Sequence, residues 1–384
     1  MNNLQTTYLL CHIISPLHSN LSKLKKEIEA LDDKGWEKIT AVANRYGLIP
    51  LLYKSLLYKN LLHSVYDPKL VGYLEAFYKL NEERNIKILQ QLEEIISWLD
   101  AAGIEVVLLK GAAALSESHY ESIGERLMID IDILVDERDI FRAIDVLKTN
   151  GYQELNPTSP LEVEWHHYRR MYKEEHPASL ELHRKLLNAR AVHYFGTELQ
   201  KECFIPSSRF QNSLVLLPLY DLYYSFLHTQ LSHRYHIYHY LAVRQMQHFS
   251  LIATKYGVDI RKIDALAKEH GLLSVWHSYL LLQYKFFHLE VGRDIIENRE
   301  NLYYLDHIEA KISSSKKAKR EIIALIQKIY FSLGYANLRK YYNFESRYCL
   351  ICYVPLRIVH LLFIYLSSKK KRKKLYNAIK ELAS

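Results

Sequence analysis

Apolar residues recur at every third or fourth position through most of the first hundred residues, which is the spacing of amphipathic helices. The last of these helices has Asp67 as a suitable N-cap and Pro68 at a favourable first position. Its apolar stripe continues to about Gly103, a residue type that commonly follows a helix end. We therefore predict a helical N-terminal region over residues 1–98.

The pattern changes at Ile104 to short, β-branched runs that alternate with helical ones. Ile104–Leu109 reads as a buried strand, and the KGAAAL that follows predicts a turn at Gly111 and then a helix. A core over residues 99–215 is predicted from these runs and four more. They are a strand at 128–135, a helix at 137–152 stopped by Gly151, and two strands at 162–172 and 178–187 around the polar turn KEEHP.

After Pro218 the spacing returns to that of helices, so residues 216–384 are predicted as a helical C-terminal region with a basic tail. The low Gly and Pro counts, 12 and 9, favour long helices over a turn-rich all-β fold. The predicted fold class is α+β and mostly helical, with a small mixed sheet and its helices between two helical regions.

Composition restricts the class of protein further. Cys11, Cys203, Cys349 and Cys352 are too few and too scattered for a disulfide framework, and the N-terminus lacks a secretory pattern. We therefore expect a reducing, cytoplasmic setting. Cys349 and Cys352 have metal-ligand spacing but lie in an apolar run without a second pair, so we do not interpret them as a zinc or redox site.

The net charge of +8 comes partly from one run, KKKRKK at Lys369–Lys374. Such a run is typical of a solvated tail, and the alternative is contact with nucleic acid or anionic lipid. The preceding apolar segment, Tyr348–Leu366, contains Pro355, Arg357 and His360. These residues favour a buried or interfacial helix, and no transmembrane span is expected.

Two acids stand inside the apolar run MIDIDILV. On a strand, Asp130 and Asp132 point to one face, while Ile129, Ile131 and Ile133 point to the other and pack. Two half-buried carboxylates repel each other unless a cation offsets them, and hard oxygen ligands favour Mg²⁺ or Mn²⁺ over zinc. The alternative is a solvated strand face, which alternation alone permits.

The neighbourhood favours the metal interpretation. Lys110 and Gly111 end a strand and open a helix, a place where backbone N–H groups and the helix dipole suit phosphate. Arg126 lies four residues before Asp130 and adds a fork of donors. Glu181, an acid flanked by leucines on a predicted strand, could come from a neighbouring strand as a third metal ligand.

These residues carry a family resemblance. The segments LLKGAAAL, GERLMIDIDILV, AIDVLKTNGY and LELHRKL, with ANRYGLIPLLYKSL upstream, resemble the uncharacterised nucleotidyltransferase family of the DNA polymerase β-like superfamily. The resemblance covers most of the chain. It departs from the wider superfamily at the turn, where Ala112 stands in place of the usual serine, and after Pro218, where Arg244 and Gln245 stand where an acid is expected.

The resemblance implies nucleotidyl transfer with two metal ions in a polymerase β-like core. Asp130 and Asp132 would hold both Mg²⁺ or Mn²⁺ ions, and Glu181 would complete the site and help to deprotonate an acceptor hydroxyl. Lys110, Gly111, Ala112 and Arg126 would bind the phosphates of an NTP such as ATP. The acceptor would be a small molecule, a protein or an RNA.

Two other interpretations remain beside this one. The same cleft could belong to a catalytically silent member of the family that binds nucleotide or a partner. The departures at Ala112 and Arg244 are the reason for this alternative. Interleaved tyrosines and basic residues are also compatible with nucleic-acid binding, although core and rim positions explain them equally well. His228, His233, His236 and His239 lack a completing Cys or acid, so we interpret them as helix surface or pocket wall and not as a zinc site.

Overall fold

The computed structural model of the chain describes residues 1–17, 20–155, 166–195 and 201–314. It divides into two compact units, and residues 1–237 and 241–306 form the first. Of the second unit, the structure describes residues 238–240 and 307–314, where Lys311 Nζ donates a hydrogen bond to the carbonyl of Tyr238. The three-part division of the chain expected from the sequence stays a prediction.

The described residues form helices on both sides of the stretch that builds the sheet. Short 3₁₀ turns lie at Leu62–Ser64, Val192–Tyr194 and Lys201–Cys203, and a π-helical turn at His228–Ser232. The α-helices are α1 Asn3–Ile14, α2 Leu21–Glu29, α3 Asp33–Tyr46, α4 Ile49–Tyr58, α5 Pro68–Ala101, α6 Lys110–Ser116, α7 Ile140–Thr149, α8 Pro218–Leu227, α9 Tyr235–Tyr238, α10 Val243–Lys255, α11 Arg261–Glu269, α12 Leu273–Phe287, α13 Arg293–Ile296 and α14 Arg299–Ser313.

The long helix α5 begins and ends where the sequence predicts. The side chain of Asp67 accepts a hydrogen bond from Lys69 N at 2.9 Å, and Pro68 is the first helical residue. Gly103, just beyond the helix end, has a φ of +68°, a conformation that costs glycine little. None of the helices in the described ranges is both long and apolar enough to cross a bilayer.

The strands form one mixed sheet in the order β3-β4-β5-β2-β1-β7-β6. The pairs β2–β5 and β1–β7 are parallel, and the other neighbours are antiparallel. The α+β class and the mixed sheet with helices are therefore confirmed. The strands are β1 Val106–Leu109, β2 Asp130–Leu134, β3 Gln153–Glu154, β4 Met171–Tyr172, β5 Ser179–His183, β6 Phe204–Pro206 and β7 Ser213–Leu216.

One face of the sheet is apolar and forms the core with α5 and α7. Alternation puts Ile131 and Ile133 of β2 and Leu180 and Leu182 of β5 on this face, where none has any exposed surface. Burying each of these side chains stabilises the fold by roughly 1.5–3 kcal/mol. They pack in one cluster with Ile88, Leu92, Ile95 and Leu99 of α5 and with Ala143, Ile144 and Leu147 of α7.

The turn after β1 lies at Lys110 and Gly111 as expected, and Lys110 has a φ of +50°. Two local expectations were wrong. Ile129 does not pack with the other isoleucines: it precedes β2 and is 58% exposed. Of the strand expected at 162–172, the first four residues lie outside the described ranges, and only Met171–Tyr172 pairs as a strand.

The pair Cys349 and Cys352, the apolar segment Tyr348–Leu366 and the basic run Lys369–Lys374 lie outside the described residues.

Polar side chains of α5 hold the backbone at the entrances to β2 and β5. Arg84 donates to the carbonyls of Met128 and Pro177, the latter at 2.9 Å, and so ties the two strand entrances together. Asn85 donates to the carbonyl of Arg126 at 2.8 Å. These bonds satisfy buried main-chain groups that lie outside the ladder, so the strands start at fixed places.

We predict that Gln91→Leu destabilises the protein by about 2–4 kcal/mol, because it leaves buried main-chain groups unpaired. Gln91 is buried and holds Ala178, the residue before β5, by its carbonyl at 2.7 Å and its N–H at 3.2 Å. Urea unfolding measures the change. Gln90→Leu, at an exposed neighbouring position, is the matched control and should change stability little. Equal stability of the two variants would contradict this role.

We also predict a pH-dependent stability that originates at Glu125. Burial raises the pKa of this carboxyl from 4.5 to about 7, against hydrogen bonds from Ser122 N and Tyr58 OH that lower it. An acid whose folded pKa is raised contributes stability that is complete below about pH 4.5 and is lost as the pH rises through 7. Between pH 5 and pH 8 the native protein should lose about 2 kcal/mol relative to Glu125→Gln.

Urea titrations at the two pH values measure this difference. The control is Glu121→Gln, at an exposed position, which should follow the native protein. A native protein and a Glu125→Gln variant with parallel pH profiles would refute the assignment.

Candidate active site

The parallel pairing of β2 with β5 brings the acidic residues together. Asp132 is the register partner of Glu181, and Asp130 that of Ser179. Residues two apart on a strand share a face, so the three carboxylates and His183 project from the face opposite the isoleucine and leucine core. The carboxylates line one cavity of about 410 Å³.

Asp132 is the most deeply buried of the acids, with 4% of its surface exposed. Its Oδ1 accepts hydrogen bonds from Lys110 Nζ at 2.7 Å and His183 Nε2 at 2.9 Å. Burial by itself would raise the pKa of Asp132, but Lys110 and His183 outweigh it and lower that pKa well below the ordinary value. Asp132 is therefore ionised, and Lys110 is its counterion.

Asp130 and Glu181 share a single cation, Arg170. The guanidinium donates through one nitrogen to Asp130 Oδ2 at 3.0 Å and to Glu181 Oε1, and through Nε to Glu181 Oε1 at 3.1 Å. Burial and the two other carboxylates raise the pKa of Asp130, and Arg170 and Lys110 partly offset that rise. Arg170 is thus the cation that pairs with both acids. It was not among the site residues expected from the sequence.

The turn between β1 and α6 places Lys110 at the floor of the cavity. Gly111 is closely packed there: a Cβ at this position would lie 3.0–3.2 Å from three side-chain atoms of Met128, which would have to shift slightly to admit it. Ala112 has no exposed surface and belongs to the apolar core cluster. Ala112 does not line the cavity, and its expected role in phosphate binding stays a prediction.

Two further arginines line the same cavity. Arg126 donates to the hydroxyl of Tyr120 at 3.2 Å, and Arg244 of α10 lies close enough for the positive charge of Arg126, after burial, to lower its pKa. Within the described ranges, neither guanidinium has a carboxylate within 4.0 Å. Two half-buried cations that make no direct ion pair favour an anion between them.

A buried acid from α8 lines the same cavity as these arginines. Asp221 lies 3.5 Å from His248 Nε2, and both line the cavity. Burial alone would raise the pKa of Asp221, but His248, His119 and Arg126 together lower it. Asp221 thus adds a carboxylate from α8 to the cavity that Arg244 lines.

The donor set at the carboxylates fits a divalent cation. Among the described residues, one atom each from Asp132, Glu181 and His183 lie within 4.8 Å of one another, and they form the one such acid and histidine group found there. Nδ1 of His183 is buried without a hydrogen-bond partner. Carboxylate oxygens with one imidazole suit Mn²⁺ and, through the oxygens, Mg²⁺. Asp130 lies beside this group and not within it.

Two of the four histidines set aside as zinc ligands line the cavity. The rings of His228 and His233 lie 4.4 Å apart, and burial lowers the pKa of both. His236 stacks on Tyr304 with ring centroids 4.6 Å apart. His228 and His233 are thus part of the cavity wall, and the interpretation of the four histidines as residues that bind no zinc stays a prediction.

The chain has been compared with known proteins. Residues 32–288 match the model of a family described as uncharacterised nucleotidyltransferases. No curated protein and no solved structure matches the chain. The matched region covers more than half of the chain and includes all of the carboxylates, arginines and histidines described above. The chain therefore belongs to this family of uncharacterised nucleotidyltransferases.

Proposed function

We propose that this protein transfers a nucleoside monophosphate from an NTP to a hydroxyl group of an acceptor, with Mg²⁺ or Mn²⁺ as cofactor. The observation that supports it most is the convergence of Asp130, Asp132 and Glu181, in register on adjacent strands, on the floor of a cavity that also contains four cationic side chains. Carboxylates and cations so arranged suit a metal and a polyphosphate together.

The metal would be held by Asp130, Asp132 and Glu181, with His183 as a further donor. When bound, Mg²⁺ or Mn²⁺ supplies electrostatic stabilisation of the charge that develops on the α-phosphate. Lys110 and His183 lower the pKa of Asp132 and orient its carboxylate through hydrogen bonds to Oδ1.

The NTP phosphates would lie towards the arginine wall. Arg126 and Arg244 make no ion pair with a carboxylate in the described ranges, and Lys110 and Gly111 at the start of α6 line the same cavity. This wall would hold the pyrophosphate as it departs. Arg244 is thereby added to the phosphate ligands expected from the sequence.

The acceptor would approach the α-phosphate from the side of Glu181. A bond forms between the acceptor oxygen and the α-phosphorus, the bond from that phosphorus to the bridging oxygen of the β-phosphate breaks, and pyrophosphate leaves. Glu181 would take the proton of the acceptor hydroxyl. A small molecule, a protein side chain and an RNA end all supply such a hydroxyl.

A silent nucleotide-binding protein is the second candidate. It is favoured by the burial of Ala112, which removes the hydroxyl usual at this turn, and by the ion pairs that already occupy the carboxylates. The two candidates differ in turnover and not in nucleotide binding.

We predict that purified protein with Mg²⁺ or Mn²⁺ transfers label from one of four α-labelled NTPs to an acceptor in a cell extract. Asp130→Asn, Asp132→Asn and Glu181→Gln should each lower the transfer by about 10²-fold or more, because each removes a ligand and a charge. Transfer is followed by gel and thin-layer separation of the labelled products.

The matched control is Asp136→Asn. Asp136 follows β2 but pairs with Arg138 at the surface, at 2.7 Å, and does not line the cavity. It should leave transfer unchanged. If nucleotide binds and no label moves under any condition, the silent candidate replaces the enzyme.

We further predict that Arg244→Gln weakens NTP binding by about tenfold, because it removes one charge-assisted hydrogen-bond donor from a half-buried anion site. Calorimetry with each NTP measures the dissociation constant. Arg261→Gln, at an exposed position of α11, is the control with the same change of charge. Equal affinities of both variants would remove Arg244 from the phosphate site.

A further inference from the structure

Arg170 binds carboxylate oxygens that a divalent cation would use. Its guanidinium bonds to Asp130 Oδ2 and Glu181 Oε1 at once, so one oxygen from each of two expected metal ligands is already paired with a positive charge. The third, Asp132, has separate partners in Lys110 and His183. Arg170 is therefore the cation that competes most directly with a metal.

The sheet positions this arginine. Met171 of β4 pairs with Leu180 of β5, which sets the preceding residue, Arg170, beside Glu181. The carbonyl of Arg170 accepts a hydrogen bond from Leu155 N at 2.8 Å, so its main chain is fixed. The side chain is 37% exposed and lines the cavity, which leaves it room to move away from the carboxylates.

A metal alone and a metal with nucleotide would have different effects on Arg170. A divalent cation at Asp130 and Glu181 repels the guanidinium and deprives it of both partners. A polyphosphate in the same cavity offers the displaced fork new oxygens of the kind it binds best. Release of Arg170 is therefore unfavourable with the metal alone and is compensated when the nucleotide is present.

We propose that Arg170 couples metal binding to nucleotide binding: it holds Asp130 and Glu181 while the cavity lacks a nucleotide, and it turns to the phosphates when metal and nucleotide enter together. This inference rests on the proposed function for the identity of the ligands. It makes Arg170 a residue that positions the metal ligands and sets the order of loading. The coupling is reciprocal, so metal strengthens nucleotide binding by the same factor.

The test measures Mn²⁺ binding by the loss of the free-ion electron paramagnetic resonance signal, with and without a non-hydrolysable NTP. Arg170→Gln should bind Mn²⁺ alone about tenfold more tightly than the native protein, since the competing cation is gone. In the native protein, adding the nucleotide should raise the Mn²⁺ affinity by about tenfold or more. In Arg170→Gln this gain should be about threefold or less.

Arg169→Gln is the matched control. Its neighbouring guanidinium pairs with Glu154 at 2.9 Å and does not line the cavity, so both Mn²⁺ affinities should stay native. Circular dichroism checks the fold of each variant. Should Arg170→Gln fail to fold, Arg170→Lys keeps the charge and loses the fork, and it should bind Mn²⁺ alone more tightly than the native protein by a smaller factor.

The outcomes separate this inference from the proposed function. One outcome is a folded Arg170→Gln variant that binds Mn²⁺ with native affinity while Asp130→Asn loses Mn²⁺ binding. That result would overturn the coupling and leave the proposed function standing. The Arg170→Gln shift in a protein that never transfers label would support the coupling and refute the catalysis. Absence of Mn²⁺ binding in every variant would overturn both.

Discussion

The parallel register of β2 and β5 is the interaction on which the rest of the site depends. It sets Asp132 opposite Glu181 and turns the intervening isoleucines and leucines to the other face. A shift by one residue would move the carboxylates into the core and the leucines into the cavity. With this register, three acids share a half-buried face, and their mutual repulsion has to be offset by cations from other elements.

Helix α5 supports that register from the apolar side. Its leucines and isoleucines complete the core, and Arg84, Asn85 and Gln91 bond to main-chain groups at or near the entrances of β2 and β5. Because these bonds are made to the backbone, they fix where each strand begins and do not restrict which side chains the strand carries. The helix that precedes the sheet in the chain is thus a structural part of the site.

Sequence reasoning found the parts of the site that follow from local alternation. The acids Asp130, Asp132 and Glu181 were predicted as site residues because each interrupts an apolar strand. Helix α5 was predicted from its apolar spacing and from the capping residues at its ends. His183 was within reach of the same argument, since it lies two residues after Glu181 and therefore on the same face. Family membership agrees with the resemblance stated from those motifs.

The missed residues owe their roles to contacts that are distant in sequence. Arg170 reaches Asp130 across forty positions, and Asp221 reaches His248 between two helices. No local spacing marks such pairs. The turn after β1 shows a different limit: the sequence predicts a turn at Gly111, but it does not reveal the close packing of Gly111 against the Met128 side chain or the positive φ of Lys110.

The distribution of charge explains why this cavity suits two ligands better than one. At the sheet end, Lys110 and Arg170 pair with the three acids and offset part of their charge, so a metal arriving alone competes with these ion pairs. At the helical end, Arg126 and Arg244 make no ion pair within 4.0 Å in the described ranges, and a polyphosphate arriving alone increases the negative charge beside the acids. A metal and a polyphosphate together supply positive charge to the carboxylates and oxygens to the arginines. Binding of the two ligands together thus gives partners to the charged groups at both ends of the cavity. The cost of removing these charged groups from water is then offset by both ligands and not by one alone.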